Sequence, residues 1–144
     1  MKKSLVSFTA VLAAVSWVAI SAQKPPSAGG GAPVERGRYL VESVAMCGEC
    51  HSPRDNEGQL DRSRWLQGAP MWFSPNQASP DWAYRAPALA GLPGFTDVDM
   101  TMILEKGLQP NGRAIRPPMH VYHMSHEDAT AIVAYLRSLR PGLH

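Results

Sequence analysis

The sequence predicts one mostly α-helical domain with a long irregular region between its helices. Three segments carry apolar residues at helical spacing, and two of them begin with a good N-cap residue. No segment has the apolar–polar alternation of a strand that is buried on one face. Three helices in a chain of 144 residues make a small core, so the long loops need a further apolar surface on which to pack.

The first 22 residues have the layout of a secretory signal peptide. Lys2 and Lys3 form a positive start, and an uncharged apolar run follows from Leu5 to Ile20. The alternative is an uncleaved anchor, although this run is short for a membrane span of about 20 residues. We therefore expect export with cleavage after Ser21 or Ala22, and membrane attachment only if this segment is retained.

Residues 23–33, QKPPSAGGGAP, are predicted to be a flexible linker because they are rich in Pro, Gly and Ala and lack apolar periodicity. The folded domain is expected to comprise residues 34–144. Removal of Lys2 and Lys3 with the signal leaves 12 of the 14 basic residues, which equals the 12 acidic residues. The basic residues form no stripe, so the composition argues against a nucleic-acid-binding protein.

The three predicted helices have different end signals. The first covers PVERGRYLVESVAMC, with Pro33 at its first helical position and Cys47 at its end. The second covers FTDVDMTMILEKG, with Thr96 as its N-cap and Gly107 as a natural stop. The third covers MSHEDATAIVAYLRSLRPG and begins after the N-cap Ser125. Its apolar stripe consists of Ala129, Ile132, Val133, Leu136 and Leu139.

A Cys-x-x-Cys-His run lies at the end of the first helix, in MCGECHS. Its Cys47 and Cys50 are the only cysteines in the sequence. A thioredoxin-like redox pair would begin a helix after a strand, and a structural zinc site would need two further ligands at suitable spacing. A simple disulfide in an exported protein is another alternative.

The spacing favours covalent attachment of haem c over these alternatives. Two thiols about one helical turn apart can add to the two vinyl groups on one side of a porphyrin, and His51 is then held beneath the iron as an axial ligand. Export agrees with this interpretation, because bacteria attach haem c outside the cytoplasm. We predict one covalent haem c on Cys47 and Cys50, with Gly48 and Glu49 only setting the spacing.

From about Val34 to Leu139 the sequence resembles the small monohaem cytochromes c of the bacterial periplasm. Three motifs carry the resemblance: CGECH; APALAGL at residues 86–92, which is similar to the family's Gly-Pro-x-Leu-x-Gly segment; and the run PPMHVYHMSHEDATAIVAYLRSL. The resemblance implies the cytochrome c fold, with three main helices around one haem, and a periplasmic electron carrier. Similar domains are also electron-accepting subunits of exported dehydrogenases, and Arg-x-x-Arg-Pro-Pro-Met at residues 113–119 looks like those.

The resemblance implies methionine as the second axial ligand, and Met119 is the expected residue. It follows Pro117-Pro118, which predicts an extended and stiff backbone, and its distance from the last helix is similar to that in short bacterial members. Met124 is the competing methionine, but it can serve as a hydrophobic staple of that helix. The remaining candidates, which we expect to be solvated, are His120, His123 and His126.

The resemblance also implies a hydrogen-bond partner for His51. The carbonyl of Pro87 would accept the ring N–H that does not face the iron. The interval between the two residues is longer than in short members because an insertion, NEGQLDRSRWLQGAPMWFSPNQASPDWAY, occupies it. The insertion would either cover the haem propionate edge with Trp N–H or Arg donors, or simply pack its own aromatic side chains. Arg113 and Arg116 are further candidates for the propionates.

The expected function is one-electron transfer between redox protein partners, without bond chemistry and therefore not as an enzyme. The protein would be a free carrier or the electron-accepting subunit of a periplasmic dehydrogenase. With a net charge near zero and few lysines, its docking should depend weakly on ionic strength. The alternatives are a haem-based sensor with a labile sixth ligand and a haem-free disulfide protein.

Overall fold

The structure is a computed structural model that describes residues 32–139. Its elements are α1 (Ala32–Tyr39), a π-helical turn (Leu40–Val44), α2 (Gly48–His51), a 3-10 turn (Arg62–Arg64), β1 (Ala69–Pro70), β2 (Arg85–Ala86), α3 (Asp97–Lys106) and α4 (His126–Ser138). The mostly α-helical class predicted from the sequence is confirmed. The predicted signal peptide, most of the predicted linker and residues 140–144 lie outside the described residues, while residues 32 and 33 already belong to α1.

The first predicted helix is correct at its start and wrong at its end. After Tyr39 the backbone widens into the π-helical turn, in which the N–H of Ala45 donates to the carbonyl of Leu40 at 2.7 Å. Met46 then takes a left-handed backbone conformation, with φ of 48°, and Cys47 begins α2 as its N-cap. The cysteine pair therefore lies in a helical turn of its own rather than at the end of the first helix.

Helices α1 and α4 are in close contact at Gly37. A Cβ atom placed on Gly37 would lie 1.9 Å from the carbonyl oxygen of Ala131 in α4, so only glycine lets the two backbones approach this closely. The core includes buried side chains from the turn after α1 and from α4, namely Leu40, Val41, Ile132 and Leu136. Nothing in the sequence singled out Gly37, because its contact is with a residue far along the chain.

The predicted starts of the other two helices are confirmed. The Thr96 side chain accepts the N–H of Asp99, and the Asp99 carboxylate accepts the N–H of Thr96, which completes a capping box at the start of α3. Gly107 ends α3 with left-handed backbone, at φ of 67°. Ser125 caps α4 by accepting the N–H of Asp128.

The region between α2 and α3 is largely irregular. It contains the 3-10 turn, an isolated antiparallel bridge between Arg54 and Leu60, and the antiparallel pair β1–β2, in which Ala69 pairs with Ala86. The sequence predicted no strand, and strands of two residues are too short to show an alternating pattern. Among residues 32–139, no helix has the length and apolar character needed to span a membrane. The fold thus places a long loop region beside a small helical core.

Candidate functional site

The Cys-x-x-Cys-His run forms the single turn of α2 and its N-cap. The N–H groups of Cys50 and His51 both donate to the carbonyl of Cys47, at 3.3 and 3.0 Å, and close this turn. The two cysteines are free and partly buried. Residues three apart on a helix are neighbours on its surface, so both sulfur atoms can reach one edge of a flat ligand.

This turn opens onto a cavity of about 440 Å³. Cys47, Cys50 and His51 contribute to its wall, and so does Met119 from the loop before α4. Much of the remaining wall is apolar and includes Leu89, Phe95, Met100, Leu104, Ile132 and Leu136. The cavity therefore reaches from the attachment turn to side chains of both α3 and α4, where an apolar ligand would complete the small core.

The two candidate methionines differ in position. Met119 lines the cavity, whereas Met124 does not. Met124 packs against the hydrophobic core, and its N–H donates to the carbonyl of Leu104 at 3.2 Å, which suits the predicted role as a helix staple. The extended backbone predicted for Met119 is wrong, because Pro117 and Pro118 form a turn and the chain bends at Met119.

The histidines near α4 also differ. His120 is exposed but lines the cavity, and its ring lies 4.1 Å from the ring of Tyr122. His123 and His126 do not line it, and His126 is largely exposed and hydrogen-bonded to Glu105 at 2.7 Å. His120 is thus the one of these three that shares the cavity wall with Met119.

His51 is buried, and its Nδ1 atom lies 2.8 Å from the carbonyl oxygen of Pro87. A carbonyl can only accept, so Nδ1 carries the proton and Nε2 keeps its lone pair for a metal ion. Burial lowers the pKa of His51, while the bond to Pro87 acts in the opposite direction. Near neutral pH the uncharged imidazole, which is the form that binds metals, is therefore favoured.

The surroundings of the thiols do not resemble a zinc site. Burial raises the pKa of Cys47 to about 12 and also raises the pKa of Cys50, where the negative charge of Glu49 adds to the effect. Zinc binds thiolates, usually with two further Cys or His ligands. Within residues 32–139, no group of three or more Cys, His, Asp or Glu side chains is arranged to hold a metal ion.

The insertion at residues 56–84 both packs and lines the cavity. Trp65 and Leu66 are buried in the core, and Met71 and Ala83 belong to the cavity wall. Trp82 has a buried indole N–H without a partner among the described residues. The two roles predicted for the insertion, covering the ligand and packing its own side chains, therefore do not exclude each other.

Two arginines bring positive charge to the cavity wall. Arg116 lines it, and its guanidinium donates to the carbonyls of Asp81 and Trp82 at 3.0 and 2.7 Å. Arg85 lines it as well, whereas Arg113 does not. Arg85 was not among the residues chosen from the sequence, although its place directly before the Ala86–Leu92 motif was a usable signal. Paired thiols, an oriented imidazole, apolar walls and two cations for carboxylates together fit a covalently attached haem.

Comparison with known families agrees with this chemistry. The model of the family described as Cytochrome c matches residues 34–140. The chain belongs to the cytochrome c family. Membership of this family shows that the chain has the cytochrome c fold. Members bind haem c covalently, so the general function of this c-type cytochrome is electron transport through haem iron.

Curated relatives of this cytochrome are considerably longer. A "Diheme cytochrome c-type" protein of Cereibacter sphaeroides is 37% identical over 114 residues, which cover 72% of this chain and 34% of the relative. The "Fructose dehydrogenase cytochrome subunit" of Gluconobacter japonicus is 35% identical over 111 residues, 72% of this chain and 21% of the relative. The "Gluconate 2-dehydrogenase cytochrome c subunit" of Pantoea cypripedii is 34% identical over 113 residues, 72% and 25% of the two chains. The chain thus spans about a third or less of the length of these relatives.

The two residues between the cysteines do more in this cytochrome than set the spacing, so that prediction is wrong. Gly48 packs against the ring of Trp65. Glu49 forms an ion pair with Arg54 at 2.7 Å. These partners come from outside the motif, so the motif alone could not reveal them.

Proposed function

We propose that this protein is an exported cytochrome c with one haem, which carries single electrons between redox proteins and uses His51 and Met119 as its axial ligands. The proposal rests on the cavity whose wall contains the attachment turn, His51 and Met119. The sequence has a single Cys-x-x-Cys-His run, which supports one haem. Bound haem supplies the one-electron chemistry of its iron.

Each protein group has a separate task in this proposal. Cys47 and Cys50 hold the porphyrin through thioether bonds, and His51 offers Nε2 because Pro87 occupies Nδ1. Met119 offers a thioether sulfur, which together with the apolar wall favours the reduced state and raises the reduction potential. None of these groups makes or breaks a bond in a substrate, so we propose an electron carrier and not an enzyme.

The electron donor is proposed to be a dehydrogenase. Support comes from the relatives that are cytochrome subunits of fructose dehydrogenase and gluconate 2-dehydrogenase. A further relative, 27% identical, is the cytochrome c subunit of a quinone alcohol dehydrogenase of Gluconobacter oxydans. Because this chain corresponds to only part of each relative, the proposal concerns the acceptance of electrons and not the composition of those assemblies.

Haem binding and ligation are tested on the purified exported protein. We expect haem staining on a denaturing gel, an intact mass that corresponds to one haem, and a methionine–iron charge-transfer band in the ferric spectrum. Ready binding of carbon monoxide by the reduced protein would support the haem sensor instead. A chain without haem and with a Cys47–Cys50 disulfide would contradict the proposal as a whole.

Export is tested by cell fractionation and by sequencing the N-terminus of the mature protein. We expect the protein in the periplasmic fraction, with Ala22 or Gln23 as its first residue. A membrane-bound protein that begins at Met1 would show that residues 1–22 are a retained anchor.

The donor is tested by stopped-flow spectroscopy. Fructose dehydrogenase and gluconate 2-dehydrogenase, each freed of its cytochrome subunit and reduced with its own substrate, are mixed with the oxidised protein. A saturable reduction of the haem by either enzyme supports a dehydrogenase donor. An intact haem protein that neither enzyme reduces would contradict the donor class while leaving haem binding established.

A further inference from the structure

Residues Leu66–Gly68, called here the 66–68 segment, are hydrogen-bonded to the end of the attachment turn. The N–H of Gly68 donates to the carbonyl of His51 at 2.7 Å. The N–H of Leu66 donates to the hydroxyl of Ser52 at 2.9 Å. Ser52 and Leu66 are only 2% and 0% exposed, so water does not compete for this second bond.

The same segment holds the residues that follow Pro87. The carbonyl of Leu66 accepts the N–H groups of Leu89 and Ala90, at 2.8 and 3.0 Å. Directly after the segment, Ala69 pairs with Ala86 across β1 and β2. The backbone is therefore attached to the 66–69 region on both sides of Pro87.

Gly68 also touches the backbone beside Pro87. A Cβ atom on Gly68 would lie 2.8 Å from the amide nitrogen of Ala88 and 3.0 Å from the carbonyl carbon of Pro87. Gly68 has φ of +80°, and Gly58 has the same φ but would meet nothing within 4 Å. The two glycines thus share a backbone conformation and differ in the contact that a side chain would make.

We propose that the 66–68 segment sets the position of the Pro87 carbonyl relative to the His51 ring, which makes Gly68 and Ser52 positioning residues for the axial ligand. This role depends on the proposed function, in which His51 ligates haem iron. The segment contacts His51 and Ser52 on one side and the backbone around Pro87 on the other, so it links the donor and the acceptor of the 2.8 Å bond.

The consequence concerns the donor strength of the imidazole. A ligating histidine whose second N–H is hydrogen-bonded is a more basic ligand and stabilises ferric iron. Lengthening the His51–Pro87 bond therefore makes the ferric state less stable, and the reduction potential rises. The segment would act on electron transfer through His51 without touching the iron.

The first test compares Gly68→Ala with Gly58→Ala in the holoprotein. Redox titration should show a higher potential for Gly68→Ala, equivalent to about a threefold to tenfold change in the reduction equilibrium, where tenfold is ~59 mV for one electron. Proton NMR of the reduced protein should show the His51 ring N–H shifted upfield in the same variant. Gly58→Ala should leave both quantities at their wild-type values, because its Cβ meets no other atom.

The second test compares Ser52→Ala with Ser63→Ala and still decides the matter if Gly68→Ala fails to fold. Ser52→Ala removes the acceptor of the Leu66 N–H, whereas the Ser63 hydroxyl belongs to an exposed residue and donates to the Asp61 carboxylate. We expect the potential to rise for Ser52→Ala alone. Wild-type values for Ser52→Ala, or equal shifts for Gly68→Ala and Gly58→Ala, would overturn the inference. A wild-type protein without covalent haem would instead contradict the proposed function.

Discussion

Gly48 and Trp65 are in direct contact: a Cβ atom on Gly48 would lie 2.1 Å from the Trp65 ring. The indole therefore packs against the backbone of α2, between the two cysteines of the motif. Trp65 is 7% exposed, and the guanidinium of Arg62 lies 4.2 Å from its ring centre. The insertion thus supports the attachment turn from a part of the chain that the motif does not include.

Gly48→Ala is expected to destabilise the protein by about 1–3 kcal/mol, because the added methyl group overpacks the contact with Trp65. Chemical denaturation measures the loss. Trp65→Leu and the double variant complete a double-mutant cycle, in which the smaller leucine should accommodate the added methyl group and recover part of the loss. Additive effects of the two substitutions would show that the contact is not the cause.

Met119→Ala is expected to abolish the methionine–iron charge-transfer band and to lower the reduction potential, because Met119 lines the cavity with His51. Met124→Ala is the matched control. It removes the same side chain from a position that packs on the core, so it should reduce stability and leave the band in place. The reverse pattern in the ferric spectra would assign the ligand to Met124.

Arg137 of α4 is expected to matter for stability, since it joins α4 to the first residue of α3 and to the loop before it. Its guanidinium donates to the Asp97 carboxylate at 2.7 Å and to the carbonyls of Gly91 and Phe95 at 2.8 and 2.7 Å. Arg137→Ala should lower the free energy of unfolding, measured by urea denaturation, by about 1.5–3 kcal/mol, the range for hydrogen bonds to a charged group.

Arg36→Ala is the control for Arg137→Ala. Arg36 forms an ion pair at the surface with Asp128, at 2.9 Å. Such pairs contribute about 0–1 kcal/mol, so its loss should be the smaller of the two. Equal losses for the two variants would mean that the hydrogen bonds of Arg137 together stabilise the fold no more than one surface ion pair.

The capping box of α3 is expected to contribute to acid sensitivity. The Asp99 carboxylate accepts the backbone N–H of Thr96, and this hydrogen bond lowers the pKa of Asp99 below its ordinary 3.8. The hydrogen bond with the Thr96 side chain lowers the pKa further. A carboxyl group with a lowered folded-state pKa contributes stability that is present above about pH 4 and is lost as the pH falls further.

Asp99→Asn should therefore reduce the dependence of the unfolding midpoint on pH below about 4. Urea denaturation at a series of pH values measures this dependence. Glu57→Gln, which removes an exposed carboxylate from the loop, is the control. An unchanged acid profile for Asp99→Asn would show that the cap does not contribute.

Reduction by a partner protein is expected to depend weakly on ionic strength. At the attachment turn, Glu49 and Arg54 neutralise each other, and the neighbouring Trp72 is 62% exposed with its N–H bonded to the Glu49 carbonyl. A surface with paired charges and an exposed aromatic side chain favours apolar contact over long-range steering. Stopped-flow rate constants with the dehydrogenases named above should change less than about threefold between low and physiological salt. A steep decrease would indicate steering by unpaired charges.

Local patterns were sufficient for several elements. The helix starts at Thr96 and Ser125 depend on hydrogen bonds within four residues, so the residues themselves predict them. The spacing of Cys47, Cys50 and His51 is equally local, and it determines that two thiols and an imidazole share one turn. The resemblance to cytochromes c placed the acceptor at Pro87, where the structure has the 2.8 Å contact with His51.

Local patterns were therefore enough to predict the mostly α-helical class, two helix caps and the attachment motif. Three features are seen only in the folded protein: the end of the first helix, the contact of Gly37 with Ala131, and the link that the 66–68 segment makes between His51 and the backbone around Pro87. The last two of these features are contacts between residues far apart in the sequence, and the irregular insertion, which makes the last of them, has no periodic pattern from which its path can be read. Met119 and His51 are also far apart in the sequence, and the folding of the loops places both in the wall of one cavity.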